Sequence, residues 1–507
     1  MNHGKICVSV CARTIGELLD RAGAAPDFGL IELRFDCLEK SELAAEDVEK
    51  LRNNLARIFG QVDPERCITT FRPKKHGGHR ELSQLERSNF WNMGFETELA
   101  DLEEDVVDVS WSWLWGGRIC SFHDFLGVPD DLNSVFHKLV HLETGLIKIA
   151  VAVEDATDAI AVWNLFHLAE KENIRLIPIA MGEAGKWTRI LGLAHGAPLT
   201  YASLDEDGKT APGQISSSDL RSVFRVKELD KDTTVFGLIA GDSSYSLSPF
   251  MHNRAFKTAG LNSVFVPLQT KDLDSFMRRM VIAKTREVEL NFGGFSVTNP
   301  HKQSIMRYLD EIDETASKIG AVNTVKIENG KLFGYNTDAP GFIRPLKSMY
   351  GGDLKGATAI VVGAGGGARA CIYALKNEGV DVTVMARDKS KAESLANEFE
   401  ISAAALNTDH RPLTADILVN ATPLGTRGER EDDSIATAEE LGSVKIVYDL
   451  VYNPSETRLI SEAKKAGVKT LGGIEMLIAQ GAKQFEIWTG GEAPVEEMKS
   501  AIEERLK

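Results

Sequence analysis

The sequence predicts an α/β protein that begins with a (β/α)8 barrel and continues into two further α/β domains, the last of them a Rossmann fold. Three observations predict this class. Short apolar runs alternate with helix-forming stretches, in eight units, through roughly the first 200 residues. This alternation then ends, and further along the chain a glycine-rich turn joins an apolar strand to a helix. The length of 507 residues also exceeds the ~250–300 residues at which single cores usually divide.

Eight apolar runs are the candidate strands of the barrel. They are "KICVSV", "GLIELRFD", "CITTFRP", "VVDVSW", "RICSFHDF", "LIKIAVAV", "IRLIPIAM" and "PLTYASL". Polar, helix-forming segments such as "SELAAEDVEKLRNNLARIF" separate most of them. This alternation favours parallel pairing, and the active site of such a barrel lies at the carboxyl ends of its strands.

Lys148 interrupts the apolar strand "GLIKIAVAV". Burying an ammonium group is costly, and a depressed pKa is the usual result. A neutral buried lysine is a nucleophile towards carbonyl groups. The alternative is a lysine that extends to solvent or pairs with an acid. The strand alone favours this alternative. The choice between a nucleophilic and a structural lysine therefore depends on the polar residues of the other strands.

Other polar residues occupy the same end of the predicted barrel. Glu32, Arg34 and Asp36 alternate and so share one face of a strand, and Arg72 and His123 each lie near the end of another. Taken singly, each of these residues could have a purely structural role, as a member of an ion pair or as a buried histidine. Together with Lys148 on the strand after His123, they indicate a catalytic cluster.

The second half of the chain begins after a glycine- and serine-rich, then charged, segment, and its first strand starts at Val235. In "VVGAGGGARA", Gly363, Gly365 and Ala368 fit the pattern G-x-G-x-x-A between a strand and a helix. These glycines permit a tight turn and a close approach of backbone N–H groups to a pyrophosphate. The alternative is a tight turn that binds no ligand.

The next strand of this fold indicates which dinucleotide binds. An NAD site usually ends that strand with an acidic residue, whereas here it ends with Ala386 and Arg387, followed by Lys391. Cationic side chains suit a 2′-phosphate, so NADP is preferred, although Asp388 argues mildly against it. Ahead of this fold, Lys302, Asn323 and Asp338 occupy turn-like segments. They either serve turn chemistry or include a proton-transfer pair.

Composition excludes several classes of protein. The net charge of -16 argues against a nucleic-acid partner, and no run of about 18 apolar residues predicts a membrane span. The first strand starts almost at once, leaving no room for a targeting peptide, so we expect a cytoplasmic protein, or a plastid one if a transit peptide was removed. The six cysteines form no C-x-x-C pair and are interpreted as buried apolar residues in a reducing compartment; no metal site is expected.

The motifs resemble two enzyme families in tandem. Residues 1–222 resemble type I 3-dehydroquinate dehydratases through "ELRFD", "TFRP", "SFHDF", "KIAV" and "APGQIS". Residues 235–507 resemble shikimate dehydrogenases through "YSLSPFMHN", "SVTNPHK", "GAVNT", "NTDAPGF", "VVGAGGGARA", "NATPLG", "DLVYNP" and "MLIAQGAKQFEIW". The fused order is similar to the bifunctional enzymes of plants and some bacteria.

The first resemblance implies roles for the barrel residues. Lys148 would form the Schiff base, His123 would be the general base, and Arg189 would bind the substrate carboxylate. Further substrate-binding positions would be Glu32, Arg34, Arg72, Thr210 and Gln214. The family usually has glutamate in "RPxxEGG" to orient the histidine, but "RPKKHGG" has His76 there. We therefore expect weaker dehydratase activity or a shifted pH optimum.

The second resemblance implies Lys302 and Asp338 as a catalytic pair and NADP as the cofactor. Substrate-binding positions would be Ser246, Ser248, Thr298, Asn323, Tyr452 and Gln480. Cofactor-binding positions would be Gly363, Ala364, Gly365, Gly366, Gly367, Ala368, Arg387, Lys391, Thr422 and Gly473. Ala386 replaces the family's usual asparagine before the arginine.

Together the resemblances imply a shikimate-pathway enzyme with small-molecule substrates, as a monomer or homodimer. It would dehydrate 3-dehydroquinate and reduce the resulting 3-dehydroshikimate to shikimate. One alternative is a quinate/shikimate dehydrogenase with a weakened dehydratase half; another is a regulatory metabolite-binding protein. The expected domains are a barrel (1–222), a linker (223–234), a substrate-binding domain (235–340, with C-terminal helices of about 475–507 packing back) and a Rossmann domain (341–474).

Overall fold

The computed structural model describes residues 2–26, 29–43, 48–94, 97–107, 117–142, 144–205, 208–406 and 412–506, apart from the side chains of residues 48, 50 and 51. The chain divides into two compact units. The first comprises Met1–Thr234 and Asn262–Asn291, and the second comprises Val235–Leu261 and Phe292–Lys507. The domain boundaries expected within these units stay predictions.

The first unit is built on a nearly closed barrel of eight parallel strands, which confirms the predicted fold class. The strands follow the order β7-β6-β5-β4-β3-β2-β1-β8 around the barrel. They are β1 (Lys5–Cys11), β2 (Leu30–Arg34), β3 (Cys67–Thr70), β4 (Leu99–Glu103), β5 (Gly117–Asp124), β6 (Leu146–Ala152), β7 (Arg175–Met181) and β8 (Leu199–Ser203). The interior is filled by apolar side chains that include Cys7, Ile68, Ile119, Ile177 and Tyr201.

Helices follow the strands of the barrel. They are α1 (Ile15–Ala24), α2 (Val48–Phe59), α3 (Gln84–Trp91), α4 (Glu104–Val107), α5 (Leu132–Val140), α6 (Ile160–Lys171), α7 (Lys186–Leu191) and α8 (Ser217–Ser222). Short 3-10 turns lie at Phe35–Cys37, Pro64–Arg66, Lys74–His76, Glu183–Gly185 and Gly192–His195. The alternation predicted from the sequence is therefore the alternation observed.

One of the eight predicted strands is wrong. Val106 and Val107 of "VVDVSW" lie in α4, and residues 108–111 fall outside the described part of the chain. The strand is β4 instead, whose sequence "LADLE" carries Asp101 and Glu103. Buried parallel strands usually appear in a sequence as apolar runs. The two acids interrupt that pattern in β4, so the strand was not recognised.

The interpretation of all six cysteines as buried apolar residues is also wrong for two of them. Cys11, at the end of β1, and Cys37, in the turn after β2, form a disulfide with Cα atoms 5.5 Å apart. They are 26 residues apart in the sequence, and the parallel pairing of β1 with β2 brings them together. The other cysteines are buried and free, namely Cys7, Cys67, Cys120 and Cys371.

The second unit contains two sheets. In the first, the strands of this unit follow the order β9-β11-β13-β14-β12. The elements that form and flank it are β9 (Thr234–Ala240), α9 (Ser248–Thr258), β11 (Phe292–Val297), β12 (Glu311–Ile312), α11 (Glu314–Ile319), β13 (Thr324–Glu328), β14 (Lys331–Tyr335) and α12 (Asp338–Tyr350). The elements β10 (Ser263–Gln269) and α10 (Leu273–Phe276), with the π-helix Met277–Val281, belong to the first unit.

The second sheet has the strand order β17-β16-β15-β18-β19-β20, all parallel, which is the Rossmann order 3-2-1-4-5-6. Its elements are β15 (Thr358–Val362), α13 (Gly366–Asn377), β16 (Asp381–Ala386), α14 (Lys389–Phe399), β17 (Ser402–Ala405), β18 (Ile417–Asn420), β19 (Ile446–Asp449), α15 (Arg458–Lys465) and β20 (Lys469–Leu471). Two C-terminal helices follow, α16 (Gly473–Thr489) and α17 (Val495–Leu506), and they pack on α12 and α9 respectively. Among the described residues, no helix has the length and apolar character needed to cross a membrane.

Candidate active sites

Lys148 is both buried and paired, so it combines the two alternatives that its strand allowed. Its Nζ donates a hydrogen bond to Asp101 Oδ2 at 2.8 Å and lies 3.8 Å from the centre of the Tyr201 ring. Burial lowers the pKa of the Lys148 amine, and the carboxylate of Asp101 partly opposes that shift. The amine therefore loses its proton more readily than an exposed lysine while Asp101 holds it in place.

His123 lies beside Lys148 on the neighbouring strand. Residues Ser121 and Lys148 are directly paired between β5 and β6, so His123 is two residues further along the same face. The ring is 8% exposed, and its Nδ1 has no hydrogen-bond partner among the described residues. Burial, followed by the charges of Arg72 and Lys148, lowers the pKa of His123. The ring is thus neutral at physiological pH and can accept a proton.

The acids of β4 neutralise the buried cations of this site. Arg72 donates from Nε to Glu103 Oε1 at 3.1 Å, and its Nη2 lies 2.8 Å from Asp101 Oδ1. Glu103 also accepts from Arg87 at 3.1 Å, and burial raises its pKa to about 7. Burial alone would raise the pKa of Asp101, but Arg72 and Lys148 lower it. Sequence reasoning missed both acids because it misplaced β4.

Glu32 and Arg34 sit deeper in the network than the sequence indicated. Glu32 accepts hydrogen bonds from Ser9 at 2.5 Å and from Thr70 at 2.8 Å. Arg34 donates from two nitrogens to the two oxygens of Asp36, at 2.9 and 2.8 Å. Both side chains are almost fully buried, yet they line the same cavity as Lys148. Their existing partners fix their orientation before any ligand binds.

Arg189 is a buried cation that pairs with no acid among the described residues. It is 3% exposed, its Nη2 donates only a long hydrogen bond of 3.4 Å to the Pro212 carbonyl, and its Nε has no partner among the described residues. Burial lowers its pKa to about 10. A buried guanidinium in this state is suited to a carboxylate ligand, since two parallel hydrogen bonds would satisfy it.

The segment after β8 reaches across the same cavity. Gln214 accepts hydrogen bonds from the backbone N–H of Thr210 at 2.7 Å and donates to Ser9 at 3.4 Å. Thr210, Gln214 and His76 all line the cavity that contains Lys148, His123 and Arg189. Burial and then Lys75 lower the pKa of His76, which favours its neutral ring. A histidine in either protonation state cannot offer His123 the negative charge of a glutamate.

In the second unit, the proposed proton-transfer residues are in contact. Lys302 Nζ donates to Asp338 Oδ2 at 2.5 Å, and Asn323 donates to Asp338 Oδ1 at 2.8 Å and to Gln480 Oε1 at 3.3 Å. Asp338 starts α12, and Asn323 precedes β13. These residues, far apart in sequence, line one cavity of about 520 Å³.

The same cavity contains the hydroxyl groups predicted to bind substrate. Ser246 accepts a hydrogen bond from the Ser248 backbone at 3.2 Å and contacts Tyr452, whose pKa burial raises. Thr298 also lines this cavity. One lining residue that sequence reasoning missed is Gln484 on α16, which is buried and accepts from Ser296 at 2.8 Å. Its only signal was a position one helical turn after Gln480.

The glycine turn forms the other end of this cavity and fits a dinucleotide. Gly363 has φ of +129° and a Cβ there would lie 2.8 Å from the Ala421 carbonyl, so the tight turn requires glycine. Gly365 faces open space, because a Cβ placed on it meets no atom within 4 Å. The turn leads into the N-terminus of α13, where free backbone N–H groups suit a pyrophosphate.

Most, but not all, of the predicted cofactor residues line the cavity. Ala364, Gly366, Gly367, Thr422 and Gly473 do, together with the two glycines above. Ala368 is buried within α13. Arg387 and Lys391 are exposed and follow the end of β16, which pairs with β15. Asp388 accepts from the Lys391 backbone as the N-cap of α14, so its carboxylate stabilises a helix.

Comparison with known proteins places both units in enzyme families. A family model of type I 3-dehydroquinase matches residues 6–231. Further models match the shikimate dehydrogenase substrate binding domain at 238–325, shikimate / quinate 5-dehydrogenase at 346–429, and the shikimate 5′-dehydrogenase C-terminal domain at 473–503. Matches to known enzymes thus run through both halves of the chain.

Individual relatives agree with the family models. The chain is 32% identical over 523 residues to the chloroplastic bifunctional 3-dehydroquinate dehydratase/shikimate dehydrogenase of Arabidopsis thaliana, covering 98% of this chain and 83% of that protein. It is 43% identical over 289 residues to the NADP(+) shikimate dehydrogenase of Methanopyrus kandleri, covering 55% of this chain and 98% of that one. A crystal structure of a shikimate dehydrogenase in complex with NADP+ has a TM-score of 0.50 and 41% identity, covering 55% of this chain and 98% of the other.

These matches define a chain with two enzyme units, a lyase followed by an NADP-dependent oxidoreductase. The match to the Arabidopsis protein runs through both units, which does not favour a dehydrogenase with a merely residual first half. The chain belongs to the family of bifunctional 3-dehydroquinate dehydratase/shikimate dehydrogenases of the shikimate pathway.

Proposed function

We propose that the first unit converts 3-dehydroquinate to 3-dehydroshikimate through a Schiff base on Lys148. One observation carries this proposal: a buried lysine and a buried neutral histidine lie on neighbouring strands, in a cavity that also holds a buried arginine. In the part of the chain that the structure describes, no acid pairs with this arginine. A nucleophile, a base and a carboxylate-binding group are the three components that the reaction needs.

The reaction begins with the neutral Lys148 amine. It attacks the C3 ketone of the substrate, the carbonyl oxygen takes up one proton from solvent and leaves as water, and a protonated imine forms. This imine withdraws electrons from C2, so His123 can remove the C2 proton. His123 then returns that proton to the C1 hydroxyl, which leaves as a second water molecule. Hydrolysis of the imine restores the amine and releases 3-dehydroshikimate.

The remaining residues of the barrel position the substrate. Arg189 binds its carboxylate with two hydrogen bonds, one of them from the Nε that has no partner among the described residues. Asp101 remains ionised and holds the Lys148 amine, because Arg72 and Lys148 lower its pKa. Glu32, Arg34 and Arg72 contact the ring hydroxyls, and Thr210 and Gln214 close over the bound substrate.

We propose that the second unit reduces 3-dehydroshikimate to shikimate. NADPH, when bound along the glycine turn, supplies the hydride for the C3 carbonyl. Lys302 and Asp338 supply the proton to the carbonyl oxygen, because they are hydrogen-bonded to each other in the same cavity. Asn323 orients Asp338 and contacts the ring hydroxyls together with Gln480, Thr298 and Tyr452. Ser246 and Ser248 hold the carboxylate.

The glycine turn supports a set of cofactor contacts. The N–H groups between Gly363 and Gly367 would hold the pyrophosphate, and Thr422 and Gly473, which line the same cavity, would contact the cofactor as well. Arg387 and Lys391 bind the 2′-phosphate, an arrangement supported by their position after the strand next to the turn.

A coupled assay tests both proposals in one cuvette. The purified chain is mixed with 3-dehydroquinate and NADPH, and enone absorbance and NADPH loss are followed together. We expect NADPH oxidation, and a Lys148→Ala variant should lower it by roughly 10³-fold or more. The same variant should oxidise NADPH normally when 3-dehydroshikimate is added.

A matched variant makes this assay specific. Lys138→Ala removes an exposed lysine of the same unit and should leave both rates unchanged. Oxidation from 3-dehydroshikimate but not from 3-dehydroquinate in the unsubstituted chain would contradict the proposal for the first unit. No oxidation from either substrate would contradict the proposal for the second.

A further inference from the structure

Three metal-ligating side chains meet at the carboxyl ends of three neighbouring barrel strands, and the proposed reactions use none of them. Cys11 ends β1, Cys37 lies in the turn after β2, and His79 follows the turn after β3. Cys11 and Cys37 form the disulfide, and Cys11 Sγ is 3.6 Å from His79 Nε2. One ligand atom from each residue lies within 4.8 Å of the other two.

This distance matches the edge of a tetrahedral metal site. Zinc binds thiolate sulfur at ~2.3 Å and imidazole nitrogen at ~2.0–2.1 Å, so a sulfur and a nitrogen on one tetrahedron are about 3.6 Å apart. Two sulfurs on the same tetrahedron are about 3.8 Å apart, a separation that two cysteines reach by side-chain rotation once their bond is broken. The donor set would therefore be Cys2His with a fourth position open to water.

The surroundings permit a metal ion to reach the cluster. Cys11 and Cys37 are half-buried and His79 is exposed. The backbone N–H of His79 donates to Asp36 at 3.1 Å, and Asp36 is the residue before Cys37. This bond holds the loop that carries His79 against the turn that carries Cys37, so the ligands are organised before a metal binds.

We propose that Cys11, Cys37 and His79 form a zinc-type site in the reduced protein, in place of the disulfide seen in the oxidised one. A dithiol reductant supplies two electrons and two protons, breaks the bond between the two sulfurs, and becomes a disulfide itself. Each cysteine then carries one proton. Binding of the divalent cation by two thiolates releases these two protons, and His79 binds through its neutral Nε2.

Soft thiolate ligands select zinc over magnesium or calcium. The bound cation would connect the same two strand ends as the disulfide and would add the loop with His79. That loop lies beside Arg34, because Arg34 pairs with Asp36 and donates to the Gly77 carbonyl at 3.3 Å. The proposed metal site would thus cross-link these segments beside the cavity, and it includes none of the proposed catalytic residues.

Cobalt titration of the full-length reduced protein tests this proposal. The chain is reduced with a phosphine under anaerobic conditions, freed of metal by a chelator, and titrated with Co²⁺. We expect one equivalent to bind with thiolate-to-cobalt charge-transfer absorption, and Zn²⁺ to displace it. The oxidised protein should show no such absorption, because its sulfurs are bonded to each other.

Substitutions identify the ligands. Cys37→Ser should abolish the charge-transfer band, and His79→Ala should weaken Co²⁺ binding by at least about 100-fold, more than the loss of an indirect contact costs. His141→Ala removes an exposed histidine elsewhere in the unit and should change nothing. No thiolate band in the reduced chain, or an unchanged band in either ligand variant, would overturn the proposal. Metal stoichiometry is measured without substrate, so this outcome is independent of catalytic activity.

Discussion

The surroundings of the Lys148 amine suit it to the role of nucleophile that we propose. Burial favours the neutral form that a nucleophile needs, while Asp101 and the Tyr201 ring keep the amine in one position. Removing one partner of a buried ion pair typically costs about 3–5 kcal/mol, because the other charge stays buried and unpaired. Asp101 is therefore as necessary to the site as the lysine, although it takes no part in bond formation.

His76 is the residue at which we expect the dehydratase site to differ from its family. His123 must be neutral to act as a base, so activity falls at acidic pH as His123 takes up a proton. Burial, Arg72 and Lys148 already lower the pKa of His123, and a protonated His76 would lower it further. His76→Glu places a negative charge there instead, which stabilises the imidazolium. We expect the acidic limb of the kcat/KM profile to move up by about 1 pH unit, with a higher kcat.

His76→Gln is the matched control, because it removes the imidazole and adds no charge. Its acidic limb should stay near that of the unsubstituted chain. If His76→Glu leaves the pH–rate profile unchanged, the missing carboxylate is not what distinguishes this site.

At the scale of elements, most of the fold follows from sequence pattern. Seven barrel strands are visible as apolar runs, and the glycine turn identifies the Rossmann unit, because both features depend on local chemistry. Strand β4 is not visible as an apolar run, because Asp101 and Glu103 interrupt it. These acids can be buried because Arg72 and Arg87, from elsewhere in the chain, pair with them. A buried acid can be recognised only when its distant partner is known.

The same limit applies to the sites. The resemblance could propose roles for Lys148, His123, Lys302 and Asp338, because each lies in a short motif. It could not indicate the disulfide between Cys11 and Cys37, which depends on the pairing of two strands. Residues with a local signal were thus predicted, and those whose role arises only from packing were not.

The glycine turn before α13 provides a prediction at this scale. Gly365 has φ of -91°, which alanine readily adopts, and a new Cβ would enter open space in the cavity. Because Gly365 is the N-cap of α13, where alanine is less favourable than glycine, Gly365→Ala should lower the free energy of unfolding by only about 1 kcal/mol. It should also raise KM for NADPH by about 10-fold or more, because the methyl group occupies the space of the pyrophosphate. Steady-state kinetics and thermal unfolding measure the two effects.

Gly363→Ala is the comparison for this variant. Its positive φ and the carbonyl of Ala421 make alanine unfavourable, so both stability and cofactor binding should suffer. The dehydratase activity of each variant serves as an internal control and should not change. An unchanged KM in Gly365→Ala would mean that the pyrophosphate does not bind at this turn.

For the whole molecule, net charge and local charge have opposite signs. The chain carries a net charge of -16, yet both proposed sites take anionic substrates. Arg189 in one cavity and Lys302 in the other supply positive charge where it is needed. Binding of small anions is decided within a few ångströms of these groups rather than by the total charge.

Each proposed site draws its residues from a single unit, so the two activities should be separable and should complement each other between chains. Lys148→Ala should lose only the dehydratase activity and Lys302→Ala only the dehydrogenase activity. We expect an equimolar mixture of these variants to oxidise NADPH from 3-dehydroquinate after a lag, because 3-dehydroshikimate leaves one chain and binds to the other. The lag should shorten when more of the Lys302→Ala chain is added. If each variant keeps its single activity but the mixture does not oxidise NADPH, the intermediate must stay within one chain.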